Sequence, residues 1–393
     1  MFYRDFKGLK LSALGFGTMR LPLKEDKKTI DEELASRMVD YAIASGVNYF
    51  DTAWPYHDGK SERVIGEILS KHPRESWYLA TKYPGHQHMA KFDPADTFEK
   101  QLEKCKVDYF DFYLLHNICE NSLDDYLDPK WGMLDYFVEQ KRLGRIKHLG
   151  FSTHAGVDTL KSILDGPYGP HMEFCQIQLN YLDWTLQDAK SKIELLAEYG
   201  VPVWVMEPVR GGYLADLGEQ GNAALKALEP GSSVASWAFR WLQSVPGVVV
   251  TLSGMSDMSQ VMDNISTFEG ERPLSEAETA LLGDIAASLH QAAPCTACRY
   301  CCAGCPCELD IPTLVKSYND LSLQFSFAPM MMLESLPESK RPSACLGCGA
   351  CQSACPQGIE IPEIMQKLSA LYDKYPKWSD ICRERNALLA NEK

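Results

Sequence analysis

Eight cysteines carry the most specific chemistry in this sequence. Four of them, Cys345, Cys348, Cys351 and Cys355, fall at C-x2-C-x2-C-x3-C in "CLGCGACQSACP", and Pro356 follows the last. The same spacing stands in "CTACRYCCAGCP", where Cys295, Cys298, Cys301 and Cys305 precede Pro306. Thiolates are soft donors, and three closely spaced cysteines with a fourth before a proline form the ligand pattern of a 4Fe-4S cluster. Two structural zinc ions are the alternative, since zinc sites with four cysteines also use C-x2-C pairs. Zinc rarely calls for the third and fourth cysteines at this spacing, twice over. Cys302, beside Cys301, and Cys307 are substitute ligands in the first copy.

A second set of residues is suited to moving a proton. Asp51, Lys82 and His116 end three successive strand-like runs, in "NYFDTAWPYHDGKSE", "YLATKYP" and "FDFYLLHN", and Tyr56 follows Asp51 by five residues. Each alone reads as a satisfied structural residue, and together they suit carbonyl reduction. That reaction takes a hydride at carbon and a proton at oxygen. A tyrosine, with a free pKa of about 10, is a slow acid at neutral pH. A Lys82 ammonium beside Tyr56 is expected to favour the phenolate and lower that pKa. Asp51 is expected to pair with Lys82 and keep it charged, and His116 to orient the carbonyl oxygen. A salt bridge without chemistry is the other reading of Asp51 and Lys82.

These residues need elements to hold them. Short β-branched or aromatic runs at 14–18, 47–52, 77–82, 109–116, 146–152, 174–180, 201–208 and 247–254 alternate with helical patterns. In "TIDEELASRMVDYAIASG" the apolar residues Leu34, Met38, Tyr41 and Ala42 recur at helical spacing, and Gly46 ends the pattern. Eight strand–helix units predict an α/β fold, a (β/α)8 TIM barrel, with a doubly wound sheet as the alternative. Polar groups at strand C-termini then face the barrel mouth. Ser275 and Glu278 have the spacing of a capping box and start a last helix. The cysteine region is an internal repeat with an offset of 50 residues, and each copy leads into a helical pattern, "IPTLVKSYNDL" or "IPEIMQKLSALYDKY". The predicted division is a barrel over 1–285, a small, mostly helical cluster domain over 286–375 and a tail over 376–393.

The barrel half resembles the aldo-keto reductases. The resemblance rests on "GVNYFDTAWPYHDGKSE", "LATKYP", "DFYLLHN", "GRIKHLGFST", "EPVRGGYL" and "LSGMSDMSQVMDN", in the family's order, over roughly residues 8–285. It implies a catalytic tetrad of Asp51, Tyr56, Lys82 and His116, and an extended NADPH or NADH across the mouth. Ser152 and Gln176 would hold the carboxamide. Gly254, Met255, Ser256, Gln260 and Asn264 match the family's adenosine-phosphate segment, where the following helix offers its N-terminus to phosphate. That segment has no Lys or Arg, so the choice between the two nicotinamides stays open. Arg210, in "EPVRGG", is a candidate pyrophosphate contact or else a surface arginine. Gln176, Gln178 and Asn180 share strand parity and are either cofactor ligands or a polar layer satisfied internally. A flavin is conceivable at such a mouth, but no motif supports it. The cysteine region resembles two-cluster bacterial ferredoxins. That resemblance implies one cluster on Cys295, Cys298, Cys301 and Cys355, and another on Cys345, Cys348, Cys351 and Cys305.

Charge narrows the partners. The chain has 393 residues and a net charge of -14, which makes nucleic acid and anionic membranes poor partners. No apolar run approaches the roughly 20 residues of a spanning helix, and no signal-peptide pattern opens the sequence, so a cytoplasmic location is expected. Ten of the 14 cysteines cluster between Cys295 and Cys355, which in such a setting indicates metal rather than disulfides. The expected function is reduction of a small carbonyl compound by hydride transfer, with clusters passing electrons to or from a partner protein or second cofactor. Purely structural clusters, or a redox-sensing nucleotide binder with little turnover, are the alternatives. The segment "HNICENSLDDYLDPKWGMLDYF" is expected to line or cover the substrate pocket, with Trp131, Tyr136 and Phe137 as aromatic walls or as plain packing.

Overall fold

The computed structural model describes residues 1–87, 92–289, 293, 295, 299–355 and 357–391. Cys298 and Pro356 lie outside the described residues. Eight parallel strands close into a barrel: β3 (Leu14–Gly17), β4 (Tyr49–Asp51), β5 (Tyr78–Tyr83), β6 (Phe110–Leu115), β7 (Ile146–Thr153), β8 (Cys175–Gln178), β9 (Val203–Met206) and β10 (Val248–Gly254). β10 pairs with both β3 and β9, so there is no open edge. That closure decides between the barrel and the doubly wound sheet. Four of the eight barrel strands are buried along their whole length and the others at most positions, as expected when side chains fill the inside and helices cover the outside.

An antiparallel hairpin, β1 (Tyr3–Phe6) and β2 (Leu9–Ser12), precedes the barrel. Its Phe6 packs edge-on against Trp204, at 5.0 Å between ring centroids, and contacts Phe112 and Phe174. These rings belong to one buried cluster near the strand N-termini, which the hairpin plugs. The polar strand ends at the other rim are left as the accessible mouth.

The helices obey their local signals. Asp31 caps the helix Glu32–Ala44, whose Met38 and Ala42 are buried, while Tyr41 is exposed. Ser275 and Glu278 form the capping box of the helix Glu276–Ser288. In the cysteine region two helices, Ile311–Leu323 and Ile361–Lys374, start 50 residues apart, each with a proline in its first turn, where the lost N–H is not missed. They pack on each other through Ile311, Leu314, Val315, Ile361, Met365 and Leu368, forming a core separate from that of the barrel. Two further helices, Phe327–Ser335 and Trp378–Asn391, lead back to the barrel mouth. Among the described residues no helix is long and apolar enough to cross a membrane.

Candidate active site and cluster sites

Lys82, near the end of β5, is completely buried. Its ammonium donates to Asp51 Oδ1 at the end of β4, to the Thr52 carbonyl at 2.8 Å and to the Tyr56 hydroxyl at 3.3 Å. Three donors meet three acceptors, so Lys82 is fully committed. Burial alone would lower its pKa, but Asp51 and Tyr56 outweigh that and raise it, and the ammonium stays charged. The Tyr56 phenol departs from the expectation of a lowered pKa. Lys82 does pull it down, but burial is the larger influence, and Asp51 and Glu207 add to it, so the pKa is raised. The reason is that the Lys82 charge is already neutralised by Asp51, while the phenolate would lose its water. Tyr56 is therefore a protonated donor throughout the neutral range.

The His116 ring stands edge-on to Tyr56, with centroids 6.1 Å apart, and 4.4 Å from the His86 ring. Tyr56, His86 and His116 line a cavity of about 260 Å3. Four residues lining it, His57, Asn117, Glu207 and Arg210, have positive φ, a costly backbone state for residues other than glycine. The roof of this cavity comes from the far end of the chain: Phe325, Phe327, Met331 and Trp378. Trp378 stacks on His86 at 5.3 Å, and Asn117 donates to the Met331 sulfur at 3.2 Å. Of the segment from His116 to Phe137, only His116 and Asn117 line the cavity. Phe137 is buried against Tyr83 and Tyr113, so the plain packing reading holds for it.

A second cavity, of about 280 Å3, continues the cleft across the mouth and shares Arg20, Tyr56 and Glu207 with the first. Gln176, Gly254, Ser256, Gln260 and Asn264 line it. The buried Gln176 Oε1 and Asp51 Oδ2, both belonging to lining residues, have no hydrogen-bond partner. Gln178 and Asn180 instead donate to the Asp183 carboxylate at 2.8 and 2.7 Å, so of the three only Gln176 is open to a ligand. Ser152 is buried, and its hydroxyl accepts from the Asn117 N–H at 2.9 Å. Met255 is a core residue, 1% exposed, and does not line the cleft. The helix Met258–Thr267 does follow Gly254, but the Asp257 carboxylate caps its N-terminus and uses the Gln260 N–H.

Arg210 is not an exposed arginine. It is 2% exposed and pairs with Asp183 on one side and with Asp320 of the cysteine region on the other. The turn after it needs Gly211 and Gly212, at φ +66 and +98. Arg20, whose side chain is 47% exposed, lines both cavities. Sequence reasoning passed over it inside "GFGTMR", although it sits three residues beyond the end of β3, on the same rim as the tetrad.

The cysteines gather around two small cavities. One is walled by Cys295, Cys301 and Cys355, the other by Cys305, Cys345, Cys348 and Cys351. Each cavity thus takes its last cysteine from the other copy of the repeat. Cys307 also borders the second, but its thiol donates to the Ala344 carbonyl at 3.0 Å. Cys302 borders neither. Among the described residues, no group of three or more His, Cys, Asp or Glu converges as a site for a single metal ion. Soft thiols spread around a cavity wall fit a many-atom cluster.

The family model of the aldo/keto reductases matches residues 13–287, well over half of the chain. The chain belongs to the aldo/keto reductase family. A model of the 4Fe-4S dicluster domain matches residues 294–360, so this aldo/keto reductase carries an iron–sulfur domain behind its barrel. Its curated relatives include an uncharacterized oxidoreductase, YqkF, of Bacillus subtilis, 25% identical over 72% of this chain and 96% of its own. Another is the NADH-specific methylglyoxal reductase of Escherichia coli, 22% identical over 72% of this chain and 97% of its own. Among solved structures, the holo form of aldo-keto reductase AKR11C1 from Bacillus halodurans is 25% identical, with a TM-score of 0.57 over 72% of this chain and 96% of its own. An aldo-keto reductase of Klebsiella pneumoniae in complex with NADPH is 20% identical, with a TM-score of 0.58 over 71% of this chain and 92% of its own, and shows the shared fold. This aldo/keto reductase is thus an oxidoreductase whose barrel has known relatives of nearly the same extent.

Proposed function

We propose that this enzyme reduces a flat, largely apolar carbonyl compound with a nicotinamide cofactor, and that the iron–sulfur domain roofs its substrate pocket. The observation that carries the reading is the Tyr56 hydroxyl, 3.3 Å from Lys82 Nζ and bordering a cavity covered by Phe325, Phe327 and Trp378. The bound nicotinamide supplies the hydride. Gln176, through its unpartnered oxygen, would hold the carboxamide together with Ser152, its register partner on β7, and Arg20, Ser256, Gln260 and Asn264 would line the path of the phosphates. His116 holds the carbonyl oxygen and Tyr56 gives it a proton. Lys82 stabilises the phenolate left behind, and Asp51 holds Lys82 charged. The aromatic roof and the buried walls exclude water from the transfer.

The roof has a measurable consequence. Trp378→Ala raises KM for an aromatic aldehyde about two- to tenfold with kcat little changed, matching the roughly 0.5–1.5 kcal/mol of an aromatic contact. An unchanged KM would remove the roof from the substrate site.

Two 4Fe-4S clusters complete the proposal, one on Cys295, Cys298, Cys301 and Cys355, the other on Cys305, Cys345, Cys348 and Cys351. The proposed division is a barrel over 1–285, a cluster domain over 286–375, and a C-terminal segment over 376–393 whose helix reaches back over the pocket. A second reading, electron exchange between the clusters and a partner or second cofactor, is favoured by a line of ring contacts. It runs His116, His86, Trp378, Phe327, Phe325, Tyr375, with every step between 4.4 and 5.6 Å. A nicotinamide passes single electrons poorly, so this reading also needs a two-to-one converter such as a flavin. Iron and sulfide analysis of anaerobically purified protein, followed by NADPH or NADH, tests both. Eight irons per chain with a visible band that the nicotinamide bleaches support electron exchange. The same band, moved only by dithionite, leaves the clusters in a supporting role, and zinc in place of iron overturns the cluster assignment.

A further inference from the structure

A third cavity, of about 530 Å3, opens in the seam between the barrel and the cluster domain, outside the cleft of the mouth. It meets the substrate pocket only at His154, which lines both. On the barrel side stands Lys192, on the helix Ala189–Glu198. On the cluster-domain side stands Lys316, on the helix Ile311–Leu323. Lys192 is 6% exposed, and Lys316 stands at the exposed rim. Among the described residues, neither ammonium has a hydrogen-bond acceptor or an ion-pair partner.

A buried lysine without a counter-ion is rare, because desolvating the charge is costly. Here burial, and next to it the charge of Lys316, lower the Lys192 pKa to about 8, outweighing the opposite pull of Glu120, Asp183 and Asp188. The carboxylates around the cavity attract the lysines, Asp188 both of them and Glu120 Lys192, but among the described residues none comes within ion-pair distance of either ammonium. Asp320 is paired with Arg210 and accepts from Gln187, Asp188 accepts from the Ser191 hydroxyl, and Glu120 accepts from the Gly156 N–H. Asp158 is exposed. The helix Val157–Asp165, nine residues long, starts at this cavity; its first-turn N–H groups add positive potential, which Glu120 at the Gly156 N–H and Asp158 in the first turn offset in part. Two like charges thus face each other from two domains across a polar chamber, in a chain whose net charge is -14.

We propose that this chamber binds a small oxyanion, a carboxylate or phosphate group, between Lys192 and Lys316, and that the bound anion pins the cluster domain onto the barrel. Without it the two ammonium groups repel across the seam. With it each gains a charge-assisted hydrogen bond. No residue of the tetrad takes part, so basal reduction of an uncharged substrate does not depend on this pair.

The holoprotein is titrated with inorganic phosphate against sodium chloride of matched ionic strength, and binding is read by calorimetry and by the melting temperature. Saturable binding with a raised melting temperature is expected for the unaltered protein. Lys192→Met and Lys316→Met are each expected to weaken binding at least tenfold, while Lys192→Arg keeps it. An unaltered protein that shows no response beyond that to chloride, or the same response in both Met variants, overturns the site. A second arm compares benzaldehyde with 4-carboxybenzaldehyde. If Lys192→Met raises KM for the carboxylated aldehyde alone, the anion is the tail of a substrate. If it leaves both unchanged while abolishing the phosphate response, the anion is a free ligand. Either result supports the chamber as an oxyanion site.

Discussion

Tyr56→Phe is expected to lower kcat for carbonyl reduction by roughly a hundred- to ten-thousand-fold, the usual worth of a positioned general acid. Folding and nicotinamide affinity should be nearly unchanged. The phenol ring keeps its place beside Lys82, whose ammonium retains Asp51 and the Thr52 carbonyl as partners. Only one 3.3 Å hydrogen bond and the transferable proton are lost. The effect should fall on kcat rather than KM, because the missing interaction develops as the alkoxide forms. Steady-state kinetics with an aromatic aldehyde, together with nicotinamide binding followed by fluorescence, separates the two constants. Full activity in this variant would refute the assigned role of Tyr56 and reduce Asp51 and Lys82 to a structural salt bridge.

Arg210→Met should be the most destabilising single change at the seam. Arg210 is 2% exposed, and it alone bridges two buried carboxylates, Asp183 within the barrel and Asp320 in the cluster domain. Removing it leaves both with only neutral partners: Gln178 and Asn180 for Asp183, and Gln187 for Asp320. Breaking a buried pair in this way costs about 3–5 kcal/mol. Denaturant unfolding at neutral pH measures the loss, and a variant as stable as the unaltered protein would mean that the carboxylates find other counter-charges. Adding Asp320→Leu to Arg210→Met should recover part of the loss, since the two residues are in contact and their effects do not add.

Both experiments turn on how residues distant in sequence meet. The barrel itself was legible in the chain. All eight β-branched and aromatic runs became strands, because a strand buried on both faces must be apolar along its length and its ends must be punctuated. The N-terminal hairpin was not legible, since "YRDFKGLKLS" is half polar and only Phe6 and Leu11 enter the core. The tetrad was legible because its members end consecutive strands, a position that a barrel turns toward one rim. Arg20 was overlooked although it follows the first barrel strand on that same rim. Arg210 reads from its loop as a cofactor contact or a surface arginine, and its buried partner Asp320 lies 110 residues away.

What the sequence determined by itself was therefore local: strand and helix periods, caps, the repeat of 50 residues, thiol spacing, and which polar residues end which strands. Each of these depends on neighbours a few positions apart. The tertiary structure decided everything that depends on burial or on a partner far along the chain. It put Phe325, Phe327 and Trp378 over the mouth where the sequence pointed to the segment after His116. It placed Cys305 and Cys355 each at the cavity of the other repeat copy, an exchange that the spacing alone does not contain and the ferredoxin resemblance implied. It also reversed the direction of the Tyr56 pKa, because the cost of desolvating a phenolate exceeds the help of a single, already paired ammonium. Burial is a property of the closed barrel and its roof, and no stretch of sequence contains it.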